Sequence, residues 1–297
     1  MSWLRPKDLS QALAMLDDCR PAIVCGGTDL FVNSQRRDAE WKNKTWMDIR
    51  TLPELRQIRL TGEGLELGSA VTAAELWQHP LGAKVPALQQ AARIVGGWQI
   101  QNRASIGGNL ANASPAADMV VPLSAYRSVI RLRSSEGLRE LPVDEFILGP
   151  RKTALQEGEL IESVLIPARM LDTPQMFLRH DQRGATDISI VSVAVVLKGT
   201  SDGPIAWGER LAWGSAAVGA ANPVPLALPE VDAEWAGELT AEKADRISGR
   251  YMELSRPISD VRASQDYRQA MVRVFMNRAV KRIAEGQDVL GPQSMRK

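Results

Sequence analysis

Cysteine, histidine and tyrosine are scarce: 297 residues hold 2 cysteines, 2 histidines and 3 tyrosines. Cys19 and Cys25 cannot supply the four thiolates of an iron–sulfur cluster. His79 and His180 stand far apart, and neither HExxH nor a paired CxxC occurs, so no metal site is expected in this chain. A Ser-His-Asp triad has almost no material, and G-x-S-x-G and P-loop motifs are absent. An excess of one charge is missing as well. The formal net charge of +1 argues against a nucleic-acid surface. No apolar run approaches membrane-spanning length, and MSWLRPKDLS lacks a signal-peptide core. A cytoplasmic protein with no membrane attachment is therefore expected.

What the chain does have is glycine in telling places. Gln99 to Asp118 reads QIQNRASIGGNLANASPAAD. Gly107 and Gly108 allow a backbone to lie close against a ligand, and Ser105 and Asn109 flank them with polar side chains. Ser114 reads as an N-cap with Pro115 at the first helical position, placing helix-start amides behind a glycine turn. Earlier, the apolar run Ala22 to Cys25 reads as a strand stopping at Gly26-Gly27, with Thr28 and Asp29 capping the next turn. Strand, glycine turn and helix start present backbone N–H groups to phosphate. The pattern is not the GxGxxG of a nicotinamide-binding Rossmann domain. Gly62-x-Gly64, flanked by alternating residues, reads as a hairpin turn rather than a nucleotide loop.

The runs IVCGGTDL and SIGGNLANASPAAD, in that order, resemble the FAD-binding medium subunit of the molybdenum hydroxylases, the xanthine dehydrogenase and carbon monoxide dehydrogenase group. The segment PISDVRASQDYR at 257–268 resembles that family's closing segment. Cys25 stands where alanine is usual, and Ser105 where threonine is common. The resemblance implies FAD held by Ile23, Val24, Cys25, Gly26, Gly27, Thr28, Asp29 and Leu30, and by Ser105, Ile106, Gly107, Gly108 and Asn109. It also implies that Asp118 accepts hydrogen bonds from cofactor hydroxyls and that Ile161 packs on the flavin. Arg179 falls on a cofactor position where lysine is usual; it keeps the charge and changes the hydrogen-bond geometry.

The implied fold is α+β: a PCMH-type FAD-binding domain of two α/β subdomains, then a small C-terminal domain with antiparallel sheet and helices. The implied assembly has a large molybdopterin-bearing subunit and a small subunit carrying 2Fe–2S clusters. Electrons would pass through the clusters to FAD and on to an acceptor, often NAD. No catalytic side chain is expected here, because the chemistry belongs to the cofactor. A self-sufficient PCMH-fold flavin oxidase or reductase is the alternative, and a scaffold that has lost its flavin is a third reading.

Local signals organise the rest. Asp8 to Asp18 reads as a helix with Asp8 and Gln11 at its start, and Thr72 with Glu75 as a capping box. Val85 to Val95 reads as a helix ending at Gly96-Gly97. Residues 57–60 with 65–68, and 129–133 with 138–141, read as hairpins, and Leu160 to Ile166 as a strand. Pro167 to Pro174 is the expected boundary between a FAD-binding domain at 1–172 (subdomains about 1–52 and 53–172) and a C-terminal domain at 175–286, with 287–297 a tail. The apolar run Ile190 to Leu197 and the stretch from Leu211 read as strands. Ser264 caps a last helix that Gly286 stops. The mixed-sign run from Gln35 to Glu40 reads as a solvated loop.

Overall fold

The computed structural model describes residues 2–34, 44–183 and 186–287. The run at 35–40 and all of the expected tail except Gln287 lie outside them. Strands β1 (Ser2–Leu4), β2 (Ala22–Val24) and β3 (Thr45–Asp48) form a parallel sheet in the order β1-β3-β2. Helix α1 (Leu9–Cys19) packs its buried Ala12 and Leu16 with Met47 and Ile49 in a small core. Asp8 caps it, its carboxylate accepting from the Gln11 N–H at 2.8 Å.

A second, antiparallel sheet runs β4-β5-β8-β6-β7, made of β4 (Ile58–Leu60), β5 (Gly64–Gly68), β6 (Val129–Ser134), β7 (Gly137–Pro142) and β8 (Leu160–Pro167). Between its strands lie α2 (Ala73–Gln78), α3 (Pro86–Ile94) and α4 (Ile106–Asn112). The capping box at α2 is complete: Thr72 Oγ1 accepts from the Glu75 N–H at 3.2 Å and Glu75 Oε2 from the Thr72 N–H at 2.8 Å. Thr72 also forms an isolated bridge with Ser105. Thr72→Ala should lower stability by about 1 kcal/mol, read as a shift of the denaturant midpoint at unchanged slope. An unshifted midpoint would mean that the cap is replaced by solvent.

The third sheet, β9-β10-β11-β12, is antiparallel: β9 (Gln175–His180), β10 (Val191–Gly199), β11 (Arg210–Gly219) and β12 (Gly237–Glu238). Its central strands are apolar on both faces because both faces are covered. Phe177, Ala194, Val196 and Ala217 join the core of the second sheet. Met176, Val193, Val195 and Val218 join a core with α5 (Ala241–Leu254) and α6 (Gln265–Ala284). Period-two alternation assigns neighbours to opposite faces, which accounts for the unbroken apolar run of β10. Ser264 caps α6, and Gly286 takes φ +62° behind it. Helix α5 has no counterpart in the sequence reading: its buried stripe of Ala244, Ile247, Ser248 and Tyr251 is too short of large apolar residues to stand out.

Two expectations are corrected. Ser114-Pro115 opens a turn, with the Ala117 N–H donating to the Ser114 carbonyl at 3.0 Å, and the next helix starts only at Val120. Nor do Gly107 and Gly108 form a turn with positive φ: they are the second and third residues of α4, whose N-cap is Ser105. Serine caps both turns and helices, and glycine does not say which backbone it adopts, so the local sequence left the choice open.

Candidate functional site

The two glycine motifs meet. A Cβ on Gly26 would lie 2.0 Å from the Arg103 carbonyl oxygen, and one on Gly107 2.6 Å from Ser69 Cβ. At these positions glycine serves packing, bringing the end of β2 against the approach to α4. Gly27 alone among the four needs positive φ, at +72°. A Cβ on Gly108 would meet only Ser105 Oγ, at 2.9 Å. Its other side opens into a cleft of about 370 Å³, lined by Ile23, Cys25 to Leu30, Ser105, Gly108 and Asn109. Val95, Ile100, Ala104, Ala111, Asn112 and Arg151 complete the wall. These six went unnoticed in the sequence because nothing local marks them. Of the expected residues, Val24 and Ile106 turn into the core, being 3 % and 0 % exposed.

The backbone donors are divided unequally. At the second motif the N–H groups are spent within the protein: Ile106 on Val71 O, Gly107 on Ser69 O, Gly108 on Ser105 Oγ and Asn109 on Ser105 O, at 2.8–3.1 Å. At the first motif, among the described residues, the N–H groups of Gly26, Gly27, Thr28 and Asp29 meet no protein acceptor. Expected donors for phosphate thus exist at one motif, while the other supplies a shaped wall.

Two further cavities adjoin. One of about 120 Å³ is bounded by Ile23, Cys25, Ser69, Gly107, Gly108, Leu160 and Ile161, among others. Another, of about 320 Å³, carries Cys25, Arg50, Arg56, Glu75 and Arg103 in its wall. Cys25 borders all three. Burial pushes its thiol pKa up, with the Ser105 hydroxyl opposing, so the sulfur stays a neutral wall atom at physiological pH.

Asp118 and Arg179 lie outside these three cavities and are bonded to each other. Arg179 Nη1 stands 2.9 Å from Asp118 Oδ2, and Ser189 Oγ donates to Asp118 Oδ1 at 2.5 Å. Arg179 also reaches the Ile94 carbonyl and Asp181. The Asp118 carboxylate thus accepts from protein donors on both oxygens, because β9 brings a guanidinium against it. Among the described residues, no group of His, Cys, Asp or Glu is placed to hold a metal ion. None of their helices is long and apolar enough to cross a membrane.

Residues 1–169 match the family model for the FAD binding domain in molybdopterin dehydrogenase, and residues 177–283 that for the CO dehydrogenase flavoprotein C-terminal domain. The chain belongs to this flavoprotein family. The glyceraldehyde dehydrogenase medium chain of Sulfolobus acidocaldarius is 29% identical, the match covering 95% of this chain and 98% of that one. The carbon monoxide dehydrogenase medium chain of Hydrogenophaga pseudoflava is 27% identical over 93% and 94%. Among solved structures, reconstituted CO dehydrogenase from Oligotropha carboxidovorans superposes with a TM-score of 0.87 at 26% identity, covering 96% of this chain and 98% of the other. The fold is thus that of the medium subunits of molybdenum hydroxylases, α+β with an antiparallel C-terminal sheet.

The residues of this flavoprotein's cleft suit FAD. A diphosphate needs hydrogen-bond donors for its oxygens, and the Gly26–Asp29 amides are such donors. Among the described residues, Asn109 Oδ1 and Ser69 Oγ, of residues that border the cleft and the small cavity, are buried atoms without a hydrogen-bond partner, the kind of group a bound hydroxyl or amide would satisfy. Ile23, Leu30, Val95 and Ile100 add apolar surface for a flat ring.

Proposed function

We propose that this FAD-binding medium subunit relays electrons within a heteromeric molybdenum hydroxylase. It takes them from 2Fe–2S clusters of a small partner subunit and passes them to an external acceptor such as NAD. A large molybdopterin-bearing subunit oxidises the organic substrate. The observation that carries this reading is the run of N–H groups at Gly26–Asp29 that meet no acceptor among the described residues, in a cleft whose wall includes Gly108 and Asn109. FAD, when bound, supplies the redox chemistry, exchanging electrons singly or in pairs.

The chain's own residues bind and orient. Gly26 to Asp29 donate to the diphosphate, Gly108 leaves it room, and Ser105 holds the start of α4 in place through its bond to the Gly108 N–H. Ile161, at the neighbouring apolar cavity, and Ile23 exclude water from the cofactor's ring systems. Arg179, from the third sheet, braces the Ile94–Val95 side of the cleft and holds Asp118, whose carboxylate accepts hydrogen bonds from cofactor hydroxyls. The FAD-binding unit is residues 1–172, in parts of about 1–52 and 53–172, and the C-terminal domain 175–286, with 287–297 a tail.

The test is composition and turnover. Affinity purification from the native host should bring down two further chains, with molybdenum and iron in the complex. The isolated chain should show the visible spectrum of bound flavin, which NADH should bleach. It should not oxidise any organic substrate. Steady turnover of an alcohol, aldehyde or sugar nucleotide by the isolated, metal-free chain would replace this reading with the self-sufficient oxidase or reductase.

A further inference from the structure

We propose that Arg151 is a cofactor-anchoring residue whose guanidinium neutralises the diphosphate of FAD in the cleft, an inference that rests on the FAD-binding reading above. The argument begins with charge. Among the described residues, Arg151 is the one lysine or arginine bordering the cleft, and Asp29 the one acidic residue. The described lining is therefore formally neutral, whereas a diphosphate brings two negative charges. Backbone amides satisfy its oxygens without supplying net charge. A charged group leaving water for a partly enclosed site needs a counter-charge as well as hydrogen bonds.

Arg151 is also held where such a charge is needed. It sits in the tight connection between strands Ile147–Gly149 and Lys152–Thr153. Its backbone takes φ +59°, a left-handed conformation that a non-glycine residue keeps only when its surroundings impose it. The imposing contact is visible: the Arg151 N–H donates to the Ala113 carbonyl at 2.9 Å, just past the C-terminus of α4. The side chain is then aimed by Asn112, whose Oδ1 accepts from Nη1 at 3.1 Å. Strap and helix that carry Arg151 and Gly108 are thus fastened together at one wall of the cleft.

Arg151 borders the cleft without an anion of its own among the described residues. Arg50, Arg131, Arg139 and Arg179 each meet a carboxylate. Among the described residues no carboxylate pairs with Arg151, and only one of its five N–H donors is engaged, by the neutral Asn112. A planar fork with free donors suits two phosphate oxygens.

The experiment titrates the flavin-free full-length chain with FAD and with ADP by calorimetry, at low and high salt. Arg151→Gln should weaken both ligands alike, by about 10- to 100-fold at low salt, and flatten the salt dependence. Arg151→Lys should recover most of the loss. Arg151→Gly guards against misfolding, since glycine accepts the same left-handed backbone, and it should match the glutamine variant. Unchanged ADP and FAD affinity in folded Arg151→Gln and Arg151→Gly would overturn the proposal. A loss for FAD with none for ADP would also overturn it, by moving Arg151 to the flavin end. Failure of the unaltered chain to bind FAD would instead sink the FAD-binding reading itself.

Discussion

Replacing Arg179 with alanine is expected to lower stability by about 3–5 kcal/mol, the range for removing one partner of a buried ion pair. Its side chain and that of Asp118 are 5% and 9% exposed, with N and O 2.9 Å apart. Burial pushes the Asp118 carboxyl up from the ordinary carboxylate range, and Arg179 is the largest opposing influence. Without the guanidinium, the desolvated carboxyl keeps only Ser189 as a side-chain donor. Arg179→Lys should fall between, because an ammonium keeps the charge but cannot hold Asp118, Asp181 and the Ile94 carbonyl with one rigid fork. The same change should loosen Val95, which follows Ile94 and borders the cleft, so FAD affinity should fall together with stability. Denaturant titration decides the matter. A loss under about 1 kcal/mol would mean that the pair contributes no more than a surface ion pair does.

Gly108→Val should abolish FAD retention while leaving the chain folded. Valine at this helical position costs no backbone strain, since Gly108 is not among the positive-φ residues. Replacing an interior helical glycine by another residue tends to favour the helix by up to about 1 kcal/mol, although β-branching gives part of that back. The new Cβ would lie 2.9 Å from Ser105 Oγ, so that hydroxyl must turn aside, and the added methyl groups fill space at a position that lines the cleft. The ligand therefore suffers more than the fold. Circular dichroism should stay close to the parent, with melting lowered by no more than a lost helix cap costs, about 1 kcal/mol, and flavin absorbance should be lost from the purified protein. A folded variant carrying full flavin colour would show that the diphosphate lies elsewhere. Gly26→Ala is the contrasting change: its Cβ would strike the Arg103 carbonyl, so it should damage folding before binding.

The local elements were legible wherever a side chain reports on its own backbone. Asp8, Thr72 and Ser264 cap the helices expected of them. The hairpins around Thr61–Gly64 and Ser134–Gly137 form where alternation broke at a turn. Legibility failed where one signal serves two structures. Ser114-Pro115 opened a turn, and Gly107-Gly108 became helix, because partners distant in the chain hold them: the Pro115 carbonyl accepts from the Ala220 N–H, and the Gly107 N–H donates to the Ser69 carbonyl. Helix α5 escaped notice because its buried stripe includes a serine and an alanine, residues with little hydrophobic signal.

The sequence by itself determined the family, the α+β class and the two motifs. Each rests on contiguous residues whose order survives in the linear chain. It also determined what this chain lacks, since too few cysteines and histidines cannot be remedied by folding. The tertiary structure decided which parts of the motifs face a ligand. That Gly26–Asp29 keep open amides while those of Ile106–Asn109 are spent depends on where Ser69 and Val71 come to rest. That Asp118 braces Arg179 depends on groups 61 residues apart meeting in a buried place. That Arg151 stands at the cleft depends on a strap pinned to Ala113. A side chain's chemistry is written in its type, but its partner is set by packing between distant segments, where hydrogen bonds and charges must be satisfied together once water is excluded.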